Sequence, residues 1–93
     1  MAKSSIQRVL KRLLEAYPVR KAGLFGSVAR GDDRPKSDVD VLVEFSKPIS
    51  LFEFIGIKQD LEKALKRKVD LVEYHMLKPA LRKRVLSEEV SLL

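Results

Sequence analysis

The sequence predicts an α/β (α+β) domain of three strands covered by helices, in the order α-β-α-β-α-β-α. Three observations carry that expectation. Apolar residues recur at helical spacing over 4–17, apolar and polar residues alternate over 38–45, and a Ser-x-x-Glu signature at Ser50 and Glu53 opens a second amphipathic stretch. The length of 93 residues fits one small domain over 1–93, with a single core.

Each element has its own signal. Ile6, Val9, Leu10, Leu13, Leu14 and Tyr17 form one stripe, with lysine and arginine opposite; Ser4 with Gln7 fits a capping box, and Pro18 stops the helix. Residues 19–25 read as a strand running into Gly26, and Val28-Ala29-Arg30 as a short helical turn closed by Gly31. In the strand over 38–45, alternation places Val39, Val41, Val43 and Phe45 on one apolar face, and Asp38, Asp40, Leu42 and Glu44 on the other. Lys47-Pro48 ends it. The helix from Ser50 runs to about Arg67, with Leu51, Phe54, Ile55, Leu61 and Leu65 as its buried stripe. Val69 to Tyr74 is the third strand, and Pro79 starts a last helix ending near Glu89.

Composition removes several classes of chemistry. No cysteine is present, which excludes disulfides, thiolate metal sites and a cysteine nucleophile; one histidine, His75, excludes a multi-histidine zinc site and reads as structural or surface. No apolar run approaches the roughly 20 residues of a membrane span, and residues 1–15 form an amphipathic stretch, so the expected location is the cytoplasm. Lysine and arginine number 19 against 13 acids, a net charge of +6 that favours phosphorylated or polyanionic ligands as a long-range field. Lys66-Arg67-Lys68 and Arg82-Lys83-Arg84 supply much of it, and their plain reading is solvated helix ends and faces. The six aromatics fall mostly at core positions, which leaves no stacking platform for RNA.

Three features carry chemistry. Gly26-Ser27 follows a strand and opens a helical turn: the glycine permits close approach of a ligand, the serine can cap the turn or bond a phosphate, and the free N–H groups suit an anion. A tight strand-to-helix turn with a capping serine accounts for the same dipeptide. Asp38-x-Asp40 projects two carboxylates from one strand face about 6.5–7 Å apart, where they repel unless a cation offsets them; magnesium or manganese suits such hard oxygen ligands, and solvated acids at a strand end are the plainer account. Asp70 interrupts an apolar strand. If that strand lies beside 38–45, Asp70 completes a carboxylate triad of the two-metal phosphoryl-transfer type; otherwise it is an edge acid.

Taken together, Gly26-Ser27, ten residues, Asp38-x-Asp40 and a later strand aspartate resemble the nucleotidyltransferase superfamily that includes DNA polymerase β. The fuller strings, Leu24-Phe-Gly-Ser-Val-Ala-Arg-Gly and Lys36-Ser-Asp-Val-Asp-Val-Leu-Val, look like the minimal nucleotidyltransferase (MNT) group, and the likeness spans nearly the whole chain. The resemblance implies a small mixed three-stranded sheet of the polymerase β-like fold. It implies that Gly26 and Ser27 hold the β- and γ-phosphates of ATP, that Asp38 and Asp40 bind the catalytic metals, two Mg2+ ions with Mn2+ as a substitute, and that Asp70 is the third carboxylate, near the attacking hydroxyl. Arg30 matches a basic position whose role is phosphate contact or structure, and Ser37 braces the turn before Asp38. Many members of the group resemble antitoxins paired with HEPN-type ribonuclease toxins, some transferring AMP from ATP to a toxin tyrosine. The leading expectation is therefore a Mg2+-dependent protein adenylyltransferase acting on a HEPN partner. The alternatives are an antitoxin that neutralises by binding alone, transfer to a small molecule, and an RNA contact.

Overall fold

A computed structural model describes residues 2–93. Helix α1 (Lys3–Leu14) leads to strand β1 (Val19–Phe25), the single-turn helix α2 (Gly26–Arg30) and strand β2 (Val39–Phe45). Helix α3 (Leu51–Leu65), strand β3 (Val69–Glu73), a 3-10 turn (Tyr74–Met76), helix α4 (Pro79–Glu88) and strand β4 (Val90–Ser91) complete the chain. The sheet is mixed and has the order β3-β2-β1-β4, with β1 antiparallel to both β2 and β4, and β2 parallel to β3. The parallel pair is possible because α3 carries the chain back across one face.

The sheet has four strands where the sequence predicts three. The fourth, Val90–Ser91, pairs with Gly23 and Leu24 and is too short to show any alternation. It seats Leu92 in the core. One sheet face, built by Ala22, Leu24, Val39, Val41, Val43, Val69 and Leu71, packs against Ile6, Leu10 and Leu14 of α1 and Ile57, Leu61 and Leu65 of α3. Alternation turns Asp40, Leu42 and Asp70 to the other face.

The helix starts divide between the two expected capping boxes. At Ser50 both arms form: Glu53 N–H donates to Ser50 Oγ at 3.1 Å, and Ser50 N–H donates to Glu53 Oε1 at 3.1 Å. The Ser4–Gln7 box does not form, because α1 begins two residues earlier on Ala2, and no side chain caps it. The stripe of α3 also differs from expectation. Its buried residues are Ile57, Leu61 and Leu65, whereas Leu51 and Ile55 are exposed and Phe54 is half-buried. The first turns of α3 border a groove of about 880 Å³ lined by Phe45, Ile49, Leu71 and Met76, so apolar residues there face an opening instead of the sheet. Phe52 lies on the same turns and is 87% exposed, so it is not one of the aromatics at core positions.

Candidate active site

The candidate residues come from four segments at one end of the sheet. Gly26 sits where β1 turns into α2, at φ +72°, a conformation that costs a side-chain-bearing residue about 1–2 kcal/mol. Its neighbour Phe25 is in register with Asp40, and a Cβ on Gly26 would lie 2.1 Å from Asp40 Oδ2. Glycine is thus required twice, for the turn and for the space the carboxylate occupies. Ser27 lies within the first turn of α2. The expectation that it caps that turn fails: the capping position is Phe25, and no side chain caps the helix.

Asp40 and Asp70 face each other in register across the parallel β2–β3 pair, so the adjacency that the triad requires is present. Asp38 stands one residue before β2, exposed like Asp70, while Asp40 is half-buried beneath Gly26. Burial pushes the Asp40 carboxyl up to about 6, and the charges of Asp70 and then Asp38 push the same way, with Arg30 partly offsetting them. Asp40 therefore lies within electrostatic reach of both Asp70 and Asp38, and that repulsion is what a cation would relieve. Among the described residues, however, no three Asp, Glu or His side chains are drawn together as a formed metal cage. The donor set, acid oxygens alone, fits a hard divalent ion; the spacing requires that the ion gather the side chains.

Arg30 closes α2 with two ion pairs, Nε to Asp32 Oδ2 at 3.2 Å and Nη1 to Glu88 Oε2 at 3.0 Å, the second of which ties α2 to α4. Of its two expected roles, the structural one is occupied here. Ser37 braces the turn as expected, accepting from Arg34 N–H at 2.9 Å. Arg67 was read as part of a solvated basic cluster, and that reading is incorrect for this residue. Its guanidinium is only 12% exposed and donates to Ser37 O at 2.7 and 3.2 Å, to Asp33 Oδ2 at 3.1 Å and to Arg34 O at 3.2 Å. No sequence signal separates Arg67 from Lys66 and Lys68, because its partners lie some thirty residues earlier. His75 is exposed, as expected.

A model of the nucleotidyltransferase domain family matches residues 6–92, nearly the whole chain. The chain belongs to the nucleotidyltransferase domain family. Among its relatives, this nucleotidyltransferase is 45% identical over 80 residues to the protein adenylyltransferase MntA of Thermococcus cleftensis, covering 86% of this chain and 81% of that one. A solved candidate minimal nucleotidyltransferase is 33% identical with a TM-score of 0.82, covering 97% of this chain and 95% of its own. A chain of a toxin–antitoxin complex solved with AMP-PNP is 25% identical with a TM-score of 0.81, covering 94% of this chain and 72% of its own. The expected MNT resemblance and its fold are borne out. No helix among the described residues is long and apolar enough to cross a membrane.

Proposed function

We propose that this nucleotidyltransferase, acting as one domain over residues 1–93, transfers AMP from ATP to a tyrosine hydroxyl of a HEPN-type ribonuclease toxin and so serves as its antitoxin. The observation that carries the reading is the register pairing of Asp40 with Asp70, beside a glycine turn packed directly on Asp40. The MntA relative is named for protein adenylylation, and a structural neighbour comes from a toxin–antitoxin complex with an ATP analogue; both support the same assignment.

In the reaction the tyrosine oxygen bonds to the α-phosphorus, the bond to pyrophosphate breaks, and the hydroxyl proton passes to a carboxylate, for which Asp70 is the candidate. Asp38, Asp40 and Asp70 would hold Mg2+, two ions with Mn2+ as a substitute, which supply charge neutralisation and an aligned nucleophile. The Gly26-Ser27 turn offers backbone N–H groups to the β- and γ-phosphates, and the absence of a side chain at Gly26 keeps that approach open. A cytoplasmic setting, which holds both ATP and Mg2+, suits the chemistry.

A second reading, occlusion of the toxin without transfer, is favoured by one observation: a structural neighbour comes from a toxin–antitoxin complex, an association that needs no transfer. The test is incubation with α-phosphate-labelled ATP, Mg2+ and host lysate, beside an Asp38→Asn control. A labelled protein that disappears with the variant supports transfer and identifies the acceptor. Unlabelled protein that still binds ATP and inhibits the toxin supports occlusion.

A further inference from the structure

Asp38 is an exposed residue outside the strand, yet both of its chain neighbours are tied down. Behind it, the carbonyl of Ser37 accepts two bonds from the Arg67 guanidinium, at 2.7 and 3.2 Å. Ahead of it, Val39 N–H donates to Lys68 O at 2.9 Å. Both tethers therefore end on Arg67-Lys68, the two residues that lead through Val69 to Asp70.

The guanidinium reaches further into the same loop. Nη1 meets Asp33 Oδ2 at 3.1 Å and Nη2 meets Arg34 O at 3.2 Å, so all three nitrogens hold residues 33–37. The loop's own turn is closed by Ser37 N–H donating to Arg34 O at 2.9 Å. A planar fork is needed for this set of directions; an ammonium is a point charge on a flexible stem and cannot span them.

We propose that Arg67 is a positioning residue of the active site: it fixes residues 33–37 to the start of β3 and thereby sets where Asp38 stands relative to Asp70. The inference rests on the reading of Asp38, Asp40 and Asp70 as metal ligands. Because the carboxylates are spread until a cation gathers them, the cost of gathering depends on how far the Asp38 backbone can wander. Arg67 limits that range before any ion arrives. Groups that orient metal ligands from behind are typically worth about 10–100-fold in metal affinity.

The test is titration with Mn2+, followed by its electron paramagnetic resonance, on the wild type, Arg67→Gln, Arg67→Lys and Asp38→Asn. Amide hydrogen exchange is followed on the metal-free proteins. The expected result is Mn2+ binding by the wild type and its loss in Asp38→Asn. Arg67→Gln should bind about tenfold more weakly and exchange faster over 33–39. Arg67→Lys should recover only part of the affinity, measured at a temperature where both variants are fully folded. Arg67→Gln with unchanged affinity but faster exchange would overturn the proposal and leave Arg67 a structural brace. Wild type and Asp38→Asn binding Mn2+ alike would instead overturn the carboxylate reading, and this inference with it.

Discussion

Asp40 is the residue on which the site's electrostatics turn. Its folded pKa of about 6 lies above the ordinary carboxylate value of 3.8, so between those pH values the folded chain binds more protons than the unfolded one. The stability of the metal-free protein should therefore fall as pH rises from about 4 to 6 and level off above, a trend that urea melts in EDTA would read. Asp40→Asn should remove the slope, raise stability at pH 7 by about 1 kcal/mol after allowance for solvent screening, and abolish AMP transfer. Gly26→Ala is expected to destabilise by about 1–2 kcal/mol, since it combines a positive φ with a Cβ lodged on Asp40. Its transfer activity should drop even under conditions where it is fully folded, which steady-state kinetics beside a melting curve would separate. The dipeptide Gly26-Ser27 was legible because it is a local string. What lies over Gly26 was not, since its neighbour comes from another strand.

The elements differ in how openly the chain announces them. β2 alternates cleanly and α3 opens with a two-sided capping box, so both appear where the sequence predicts them to within a residue or two. Ser50→Ala should destabilise the fold by about 1 kcal/mol, measured by thermal melting, because Glu53 N–H loses its acceptor. The equivalent change Ser4→Ala should be nearly silent, since that cap is absent. The stripe of α3 was misread because periodicity tells which residues share a helix face, not how much of the sheet lies beneath that face. Arg67 was misread for a related reason: its two neighbours carry the same charge, and only the distant loop over 33–37 distinguishes it.

For the whole molecule, the sequence supplied the fold class and the order of the larger elements, but not the strand order. It placed Asp38 on the strand face beside Asp40, whereas β2 begins at Val39, and it held the Asp40–Asp70 pairing only as a condition. The two-residue β4 escaped notice, and with it the strand that seats Leu92. The apolar residues Leu51 and Met76 are exposed along the groove at the far ends of β2 and β3, and Phe52 and Ile55 are exposed on the same first turns of α3. Such a patch lowers solubility, so Phe52→Asp should raise the concentration at which the isolated chain begins to scatter light, with no change in melting temperature.

The parallel register between Asp40 and Asp70 also orders events in time. Residues up to β2 leave the ribosome with the Gly26-Ser27 turn and two aspartates in hand, while the third acid follows only after all of α3 and must then cross back to dock. A nascent or truncated chain ending before β3 could accordingly display the turn yet hold no complete carboxylate set. On the reading of the three acids as metal ligands, catalytic competence would arrive in one step with the closing of the β2–β3 pair, which makes the reaction itself a reporter of that docking.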